Sequence, residues 1–135
     1  MGLAANVEAV INSERSARGL PPLSANPSLT LAAEKYAALL LSQPDPFQLS
    51  HDLNGTVGDR AQAVGYYGAV GEVLAMAPGG TAEGIVQMWL SSPGHAAIIM
   101  GGTYVDIGMG CATGPHTSAD GSVWQIAVCA GMLGY

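Results

Sequence analysis

The stretch "TYVDIGMGC", residues 103–111, decides the fold class because its apolar residues alternate in the way that predicts a β-strand. One face of this strand would carry Val105, Ile107, Met109 and Cys111. The segment "SVWQIAVCAGM", residues 122–132, alternates less regularly and is predicted to be a central strand. The polar run "ATGPHTSADG", residues 112–121, lies between the two and predicts a hairpin loop. We therefore expect two strands at the end of the chain.

Two helices are predicted at the start of the chain. Apolar residues recur at helical spacing over residues 4–18, and Gly19 ends that pattern. Asn26 followed by Pro27 is typical of an N-cap and a first helical turn, and the second helix would continue to Ser42.

Three shorter helices are predicted in the middle of the chain. The first lies over residues 59–66, the second is capped by Thr81, and the third is capped by Ser92 just before a proline. Residues 68–76 are predicted to be extended or irregular. Helices first and strands late indicate an α+β fold, with helices packed on an antiparallel sheet. No repeat or linker is visible, so residues 1–135 are predicted to form one domain.

The composition excludes several classes of function. Hydrophobic residues make up 49% of the 135 residues and charged residues 10%, which argues against a long disordered region. Lysine and arginine total four against ten acidic residues, a net charge of −6, so neither nucleic acid nor an anionic membrane surface is an expected partner. No apolar run approaches the ~20 residues of a membrane span.

The two cysteines, Cys111 and Cys129, lie in the predicted strands and lack the spacing of a redox motif. They could form a disulfide, which would imply an oxidising compartment, or remain as two buried thiols. The strand register that separates these possibilities cannot be derived from the sequence. No signal peptide is visible, and we expect that a targeting segment has been removed.

Two tryptophans and one histidine are expected to be structural or solvated. Trp89 and Trp124 are predicted to lie in the core, with Ile85 and Met88 on the same helix face as Trp89. His116 lies in the predicted hairpin loop and is expected to be solvated.

Histidine and carboxylate carry the remaining chemistry, because phosphate-binding, nucleophile-elbow and zinc-helix motifs are all missing from the sequence. His51 follows a proline-rich loop, Glu72 lies between glycine and apolar residues, and His95 opens the predicted fifth helix. The positive end of that helix favours a neutral imidazole. If the three side chains converge, they could hold zinc with an open coordination position, or act as an acid–base cluster.

Each of these residues also has a structural interpretation. His51 could be a loop residue bonded to backbone, and Glu72 could pair with Arg60 or accept backbone N–H groups. His95 could be a first-turn residue, and Ser92 is most simply an N-cap.

Seven motifs follow one another along the chain: "NSERSARGLPPLSANPSLTLAAEKYA", "LSHD", "DRAQAVGY", "VGEVLA", "MWLSSPGHAAII", "DIGMGCA" and "VWQIAVC". Their order resembles that of the CAP superfamily, which includes cysteine-rich secretory proteins, insect venom antigens, plant pathogenesis-related proteins and bacterial secreted proteins. The resemblance is closest to the bacterial branch and covers residues 6–133.

The resemblance implies an α-β-α sandwich with a central antiparallel sheet. It also implies a surface cleft lined by two histidines and acidic residues, which binds a divalent metal such as zinc in some members. His51 matches the first family histidine, Glu72 the glutamate of a G-E-N motif, and His95 the histidine of a bacterial S-P-G-H-R motif.

The sequence departs from the family pattern at four positions. Val73 and Ala96 replace the asparagine and arginine of those two motifs, and Ser92 and Ser122 stand where members with a full tetrad carry glutamate and histidine. Loss of an anionic ligand should weaken metal binding, although Asp52 could substitute.

Three functions are therefore open. The first is a secreted or cell-envelope, monomeric, non-catalytic module that binds a small lipid-type or glycan-type ligand through His51, Glu72, Ser92 and His95. The histidines and the glutamate could also hold a divalent metal. The second is a metal-dependent hydrolase of peptide or ester bonds, in which zinc-bound water attacks. The third is a structural or interaction module whose histidines only tie loops to the core.

Overall fold

A computed structural model describes residues 2–46 and 49–135. These residues form five helices and four strands. The elements are α1 (Leu3–Ala17), β1 (Ser24–Ala25), α2 (Pro27–Leu41), α3 (Val57–Ala63), β2 (Val70–Pro78), α4 (Ala82–Leu90), α5 (Pro93–Ile99), β3 (Asp106–Thr117) and β4 (Val123–Gly134). The predicted α+β class is confirmed.

The strands form one sheet in the order β1-β3-β4-β2. β4 lies in the centre, as predicted, and pairs antiparallel with β3 and β2. The sheet is mixed rather than wholly antiparallel, because the short strand β1 pairs parallel with β3. β1 stops after two residues because Asn26 caps α2 directly after it, with its side chain accepting the N–H of Leu29.

The helices cover both faces of the sheet, as the sandwich requires. α1, α4 and α5 bury their apolar residues against one face, with Trp89, Ile99 and Met109 in the same cluster. α2 lies on the other face and approaches it closely at Gly108 and Gly110, where any side chain would overlap the backbone of α2. The sheet is therefore covered on both faces, and the grooves described below lie at its sides, one beside β2 and the other beside β3.

Three details of the sequence prediction are wrong. The predicted loop over residues 112–121 is largely strand, because β3 continues to Thr117 and carries His116, which is partly buried, with it. Trp124, predicted to be in the core, is 50% exposed on β4. Met88, predicted to share the buried face of α4, is 46% exposed, whereas Trp89 is buried as predicted.

Cys111 and Cys129 lie directly opposite each other on β3 and β4 and form a disulfide. Of the two possibilities that the sequence left open, the disulfide is therefore confirmed, and the two Cα atoms lie 4.1 Å apart. No helix within residues 2–46 and 49–135 is long and apolar enough to cross a membrane.

Candidate functional site

Glu72 on β2 is the centre of a buried ion pair. Its side chain is only 1% exposed, and both of its oxygens are bound by Arg60 of α3. Arg60 Nη1 lies 2.5 Å from Glu72 Oε2, and Nη2 lies 2.9 Å from Oε1. A bidentate arginine is the partner that best offsets the desolvation of a buried carboxylate.

Arg60 also fixes the loop that carries His51. Its Nη2 donates to the carbonyl oxygen of His51 at 2.6 Å, and its guanidinium carbon lies 3.5 Å from the centre of the Tyr36 ring. Tyr36 donates its hydroxyl to the carbonyl of Ser50 and accepts the N–H of Leu53 at 3.2 Å. The loop on both sides of His51 is thus bound to α2 and α3.

Local sequence explains why Arg60 is in position. Thr56 caps α3 with a reciprocal capping box, in which its side chain accepts the N–H of Asp59 and Asp59 accepts the N–H of Thr56. The capped turn directs Arg60, four residues after the cap, towards the sheet.

Burial raises the pKa of the Tyr36 phenol above its usual value, while the N–H of Leu53 and the positive charge of Arg60 oppose that shift.

The His51 ring belongs to this arrangement. His51 Nδ1 lies 2.9 Å from Glu72 Oε1, and the side chain is 49% exposed. We call Glu72, Arg60, His51 and Tyr36 the Glu72 cluster. The alternative that Glu72 pairs with Arg60 is confirmed, and His51 joins that pair rather than standing free.

His95 and Ser92 border a groove instead. They line a groove of about 260 Å³ beside β2, which is an outer strand of the sheet. We call it the His95 groove, and neither His51 nor Glu72 lines it. Its other lining residues are apolar: Leu49, Leu74, Ala75, Met76, Met88 and Trp89.

Two local features shape the His95 groove. Trp89 donates its indole N–H to the carbonyl of Leu74 at 2.9 Å, which satisfies an outward-facing group of β2 and fixes the indole as a wall. Ser92 is the N-cap of α5 by its backbone, but its side chain makes no capping hydrogen bond. The predicted cap is therefore confirmed for the backbone only, and the hydroxyl is not used by the helix.

The residues predicted to hold zinc do not fit a zinc site in this structure. Both oxygens of Glu72 are bound by Arg60, and His51 Nδ1 is directed at the same carboxylate. Within the part of the chain that the structure describes, no three histidine, cysteine or acidic side chains are grouped to hold a metal. His51, Glu72 and His95 thus do not form one ligand set.

The structure also shows the positions of Ser122, which stands where the family tetrad has histidine, and of Asp52, the suggested substitute ligand. Ser122 lies in the turn between β3 and β4, and its hydroxyl donates to Asp120. It comes ten residues before Met132, the residue of β4 that pairs with Glu72. Asp52 is exposed and its N–H donates to Ser50. Asp52 nevertheless acts on the Glu72 cluster, because its negative charge contributes to the raised pKa of Tyr36.

Some residues of both regions were not identified from sequence. Tyr36 lies in the predicted second helix and was given no role in the site, although an aromatic ring often stacks on a buried arginine. Met76 and Leu49 gave no signal, because one lies in a strand and the other in an irregular loop.

The family model for the cysteine-rich secretory protein family, CAP, matches residues 8–130. The chain belongs to the CAP family. No curated protein sequence matches it.

Solved structures of similar fold support the CAP assignment. An outer surface protein of Borrelia burgdorferi superposes with a TM-score of 0.70 at 21% identity, over 99% of this chain and 95% of that one. An extracellular protein of Bacillus anthracis that contains an SCP domain gives 0.77 at 22% identity, over 99% of this chain and 41% of that one. A cysteine-rich secretory protein of Staphylococcus aureus superposes with a TM-score of 0.68 at 14% identity, over 98% of this chain and 38% of that one. This CAP chain thus spans about two fifths of the last two proteins, and at these identities the likeness concerns the fold alone.

Proposed function

We propose that this CAP domain acts outside the cytoplasm as a non-catalytic binding module, and that its ligand is a lipid-type molecule held in the His95 groove. The observation that carries the proposal is the composition of that groove. Six of its eight lining residues are apolar, and the two polar ones, Ser92 and His95, come from one turn of the chain. An apolar wall with a few convergent polar groups is typical of small-molecule sites.

The size of the groove limits what it holds. A volume of about 260 Å³ lies just below the usual ~300–1,000 Å³ of ligand pockets, so it suits part of an acyl chain rather than a whole lipid. The polar end of the ligand would lie near His95 and Ser92, and the chain would lie against Met76 and Met88. Methionine side chains adapt well to ligands of variable shape.

Two observations support a location outside the cytoplasm. The Cys111–Cys129 disulfide persists in oxidising compartments and is rare in the cytosol. Proteins of the same fold include one described as an outer surface protein and one described as extracellular.

The proposal gives the Glu72 cluster a structural role. Because Arg60 neutralises Glu72 and His51 is tied to the same carboxylate, the cluster holds the loop that brings Leu49 to the groove wall. We assign no metal to it. The hydrolase alternative loses its carboxylate ligand to Arg60, and no contact within residues 2–46 and 49–135 favours it.

Displacement of a fluorescent fatty-acid analogue by dodecanoate tests the proposal. We expect the wild-type protein to bind the analogue, and Met88→Glu, which places a charge in the groove, to weaken binding by about tenfold or more. His116→Ala on β3 is the matched histidine control and should bind normally. Binding of a cell-wall oligosaccharide without binding of dodecanoate would overturn the lipid assignment, and so would unchanged binding by Met88→Glu.

A further inference from the structure

A second groove lies at the other outer side of the sheet, beside β3. Its volume is about 550 Å³, and it is bordered by the start of α1, by α2 and by β3. We call it the β3 groove. The residues that the argument uses are Glu8, Thr30, Glu34, Met109, Cys111 and Thr113.

The edge of β3 is open along this groove. β1 pairs only with Asp106 and Ile107, after which the chain enters α2. The N–H of Asn26 donates to the carbonyl of Ile107 at 2.8 Å, and the N–H of Met109 donates to the Glu8 carboxylate at 3.1 Å. Both contacts are made on the side away from β4, so the peptide groups of Ile107 and Met109 face outward.

Alternation along the strand extends this pattern. In an antiparallel pair every second residue directs its N–H and carbonyl away from the partner strand, so Cys111 and Thr113 also face outward. Among the described residues, no backbone or side-chain group pairs with the outward groups of these two. An unpaired strand edge is a template for another extended chain.

The charged side chains that line the β3 groove are all acidic. Glu8 and Glu34 are the ionisable side chains that line it, and its lining includes neither lysine nor arginine. Burial raises the pKa of the Glu8 carboxyl, against the opposing effect of the Met109 N–H. A carboxylate held in this way gains from a nearby cation.

We propose that the β3 groove binds an extended peptide segment of a partner protein, which adds as a strand to β3 and places a lysine or arginine side chain between Glu8 and Glu34. Charge complementarity selects this occupant, because the open strand edge supplies main-chain hydrogen bonds and the two carboxylates supply the specificity. The edge from Met109 to Thr113 rises about 3.4 Å per residue, so the segment would engage with only a few residues.

Calorimetric titration with two synthetic peptides tests the proposal. The first is acetyl-Thr-Val-Lys-Val-Thr-amide, and the second replaces lysine with glutamate. We expect the lysine peptide to bind and the glutamate peptide to bind at least about tenfold more weakly. Equal binding of the two peptides would overturn the proposal, and so would no detectable binding of the lysine peptide.

Variants separate the two parts of the recognition. Glu8→Gln with Glu34→Gln removes both charges but keeps an acceptor for the Met109 N–H. This double variant should bind the lysine peptide about tenfold more weakly. Glu83→Gln on α4 removes one carboxylate outside the groove and is the control, which should bind normally. Unchanged affinity in the double variant would contradict the proposed role of the carboxylates.

A proline tests the strand edge itself. Thr113→Pro removes an outward N–H without removing a hydrogen bond to β4, and should abolish peptide binding. Thr117→Pro makes the same change at an outward-facing position beyond the groove, and peptide binding should be unchanged. If Thr113→Pro fails to fold, the double charge variant still decides the question.

The remaining outcome concerns the identity of the partner. Concentration-dependent dimerisation of the wild type, lost in Thr113→Pro, would identify a second copy of this chain as the occupant and overturn the assignment to a different protein. The test is independent of the lipid proposal, because one groove lies beside β2 and the other beside β3, and the two share no lining residue.

Discussion

His51 and His95 were predicted to share one site, yet they lie in unlike surroundings. His51 is bonded to a carboxylate that an arginine already neutralises, and its loop is pinned by Arg60 and Tyr36. His95 borders an open and mostly apolar groove. A histidine and a glutamate in family positions therefore do not by themselves make a metal site, because the nearest cation decides what the carboxylate can bind.

The largest effect should come from breaking the Glu72 cluster. Arg60→Met leaves Glu72 buried without a counter-charge, and we expect the free energy of unfolding to fall by about 3–5 kcal/mol. Urea denaturation followed by circular dichroism measures it. The double variant Arg60→Met with Glu72→Met removes the unpaired charge and should recover part of the loss. If the single variant were as stable as the wild type, the cluster would not be a stabilising feature.

The disulfide gives a second large effect away from both histidines. Cys111→Ala with Cys129→Ala opens a loop of sequence separation 18, and we expect a loss of about 3 kcal/mol in unfolding free energy. At a temperature where the variant is folded, binding of the fatty-acid analogue should be unchanged. Weaker binding would mean that the His95 groove responds to overall stability, which would remove the contrast between the two regions.

Single alanine variants of the two histidines should give opposite patterns. His51→Ala loses a hydrogen bond to a charged group, but the ring is half exposed, so we expect about 1 kcal/mol of destabilisation and little change in fatty-acid binding. His95→Ala should leave the unfolding free energy within about 0.5 kcal/mol and weaken binding severalfold. Identical patterns in the two variants would contradict the division into a structural and a binding region.

The sequence predicted the α+β class, the central position of β4 and the Asn26 cap because each depends on local pattern. It could not predict that the strand register would pair Cys111 with Cys129, since a shift of two residues along either strand keeps the same side chains on each face of the sheet. It offered Arg60 as one of two partners for Glu72, but the choice between them depends on where the capped turn of α3 meets β2. Met88 was misplaced for a related reason: a helix beside an outer strand has a groove on one flank, and periodicity alone does not show it.

The smallest expected effect is a shift in tyrosine pKa, which an alkaline titration measures for one tyrosine inside the Glu72 cluster and one outside it. Burial raises the pKa of Tyr36, and burial with a hydrogen bond to Asp106 raises the pKa of Tyr66 to about 12. A raised pKa in the folded state means that the stabilisation is fully present below the unfolded value near pH 10 and is lost as the pH rises through the folded value.

Ultraviolet absorbance of the phenolate separates the two tyrosines. We expect Tyr66→Phe to remove a transition near pH 12, and Tyr36→Phe to remove one above the usual tyrosine range while keeping the ring under Arg60. Tyr67, which is 79% exposed, serves as the control through Tyr67→Phe. If Tyr36 ionised together with Tyr67, the hydroxyl that holds the carbonyl of Ser50 would be open to solvent. The loop of His51 would then lose one of the contacts that hold it to α2, and the contrast between a structural Glu72 cluster and a binding groove would be weaker.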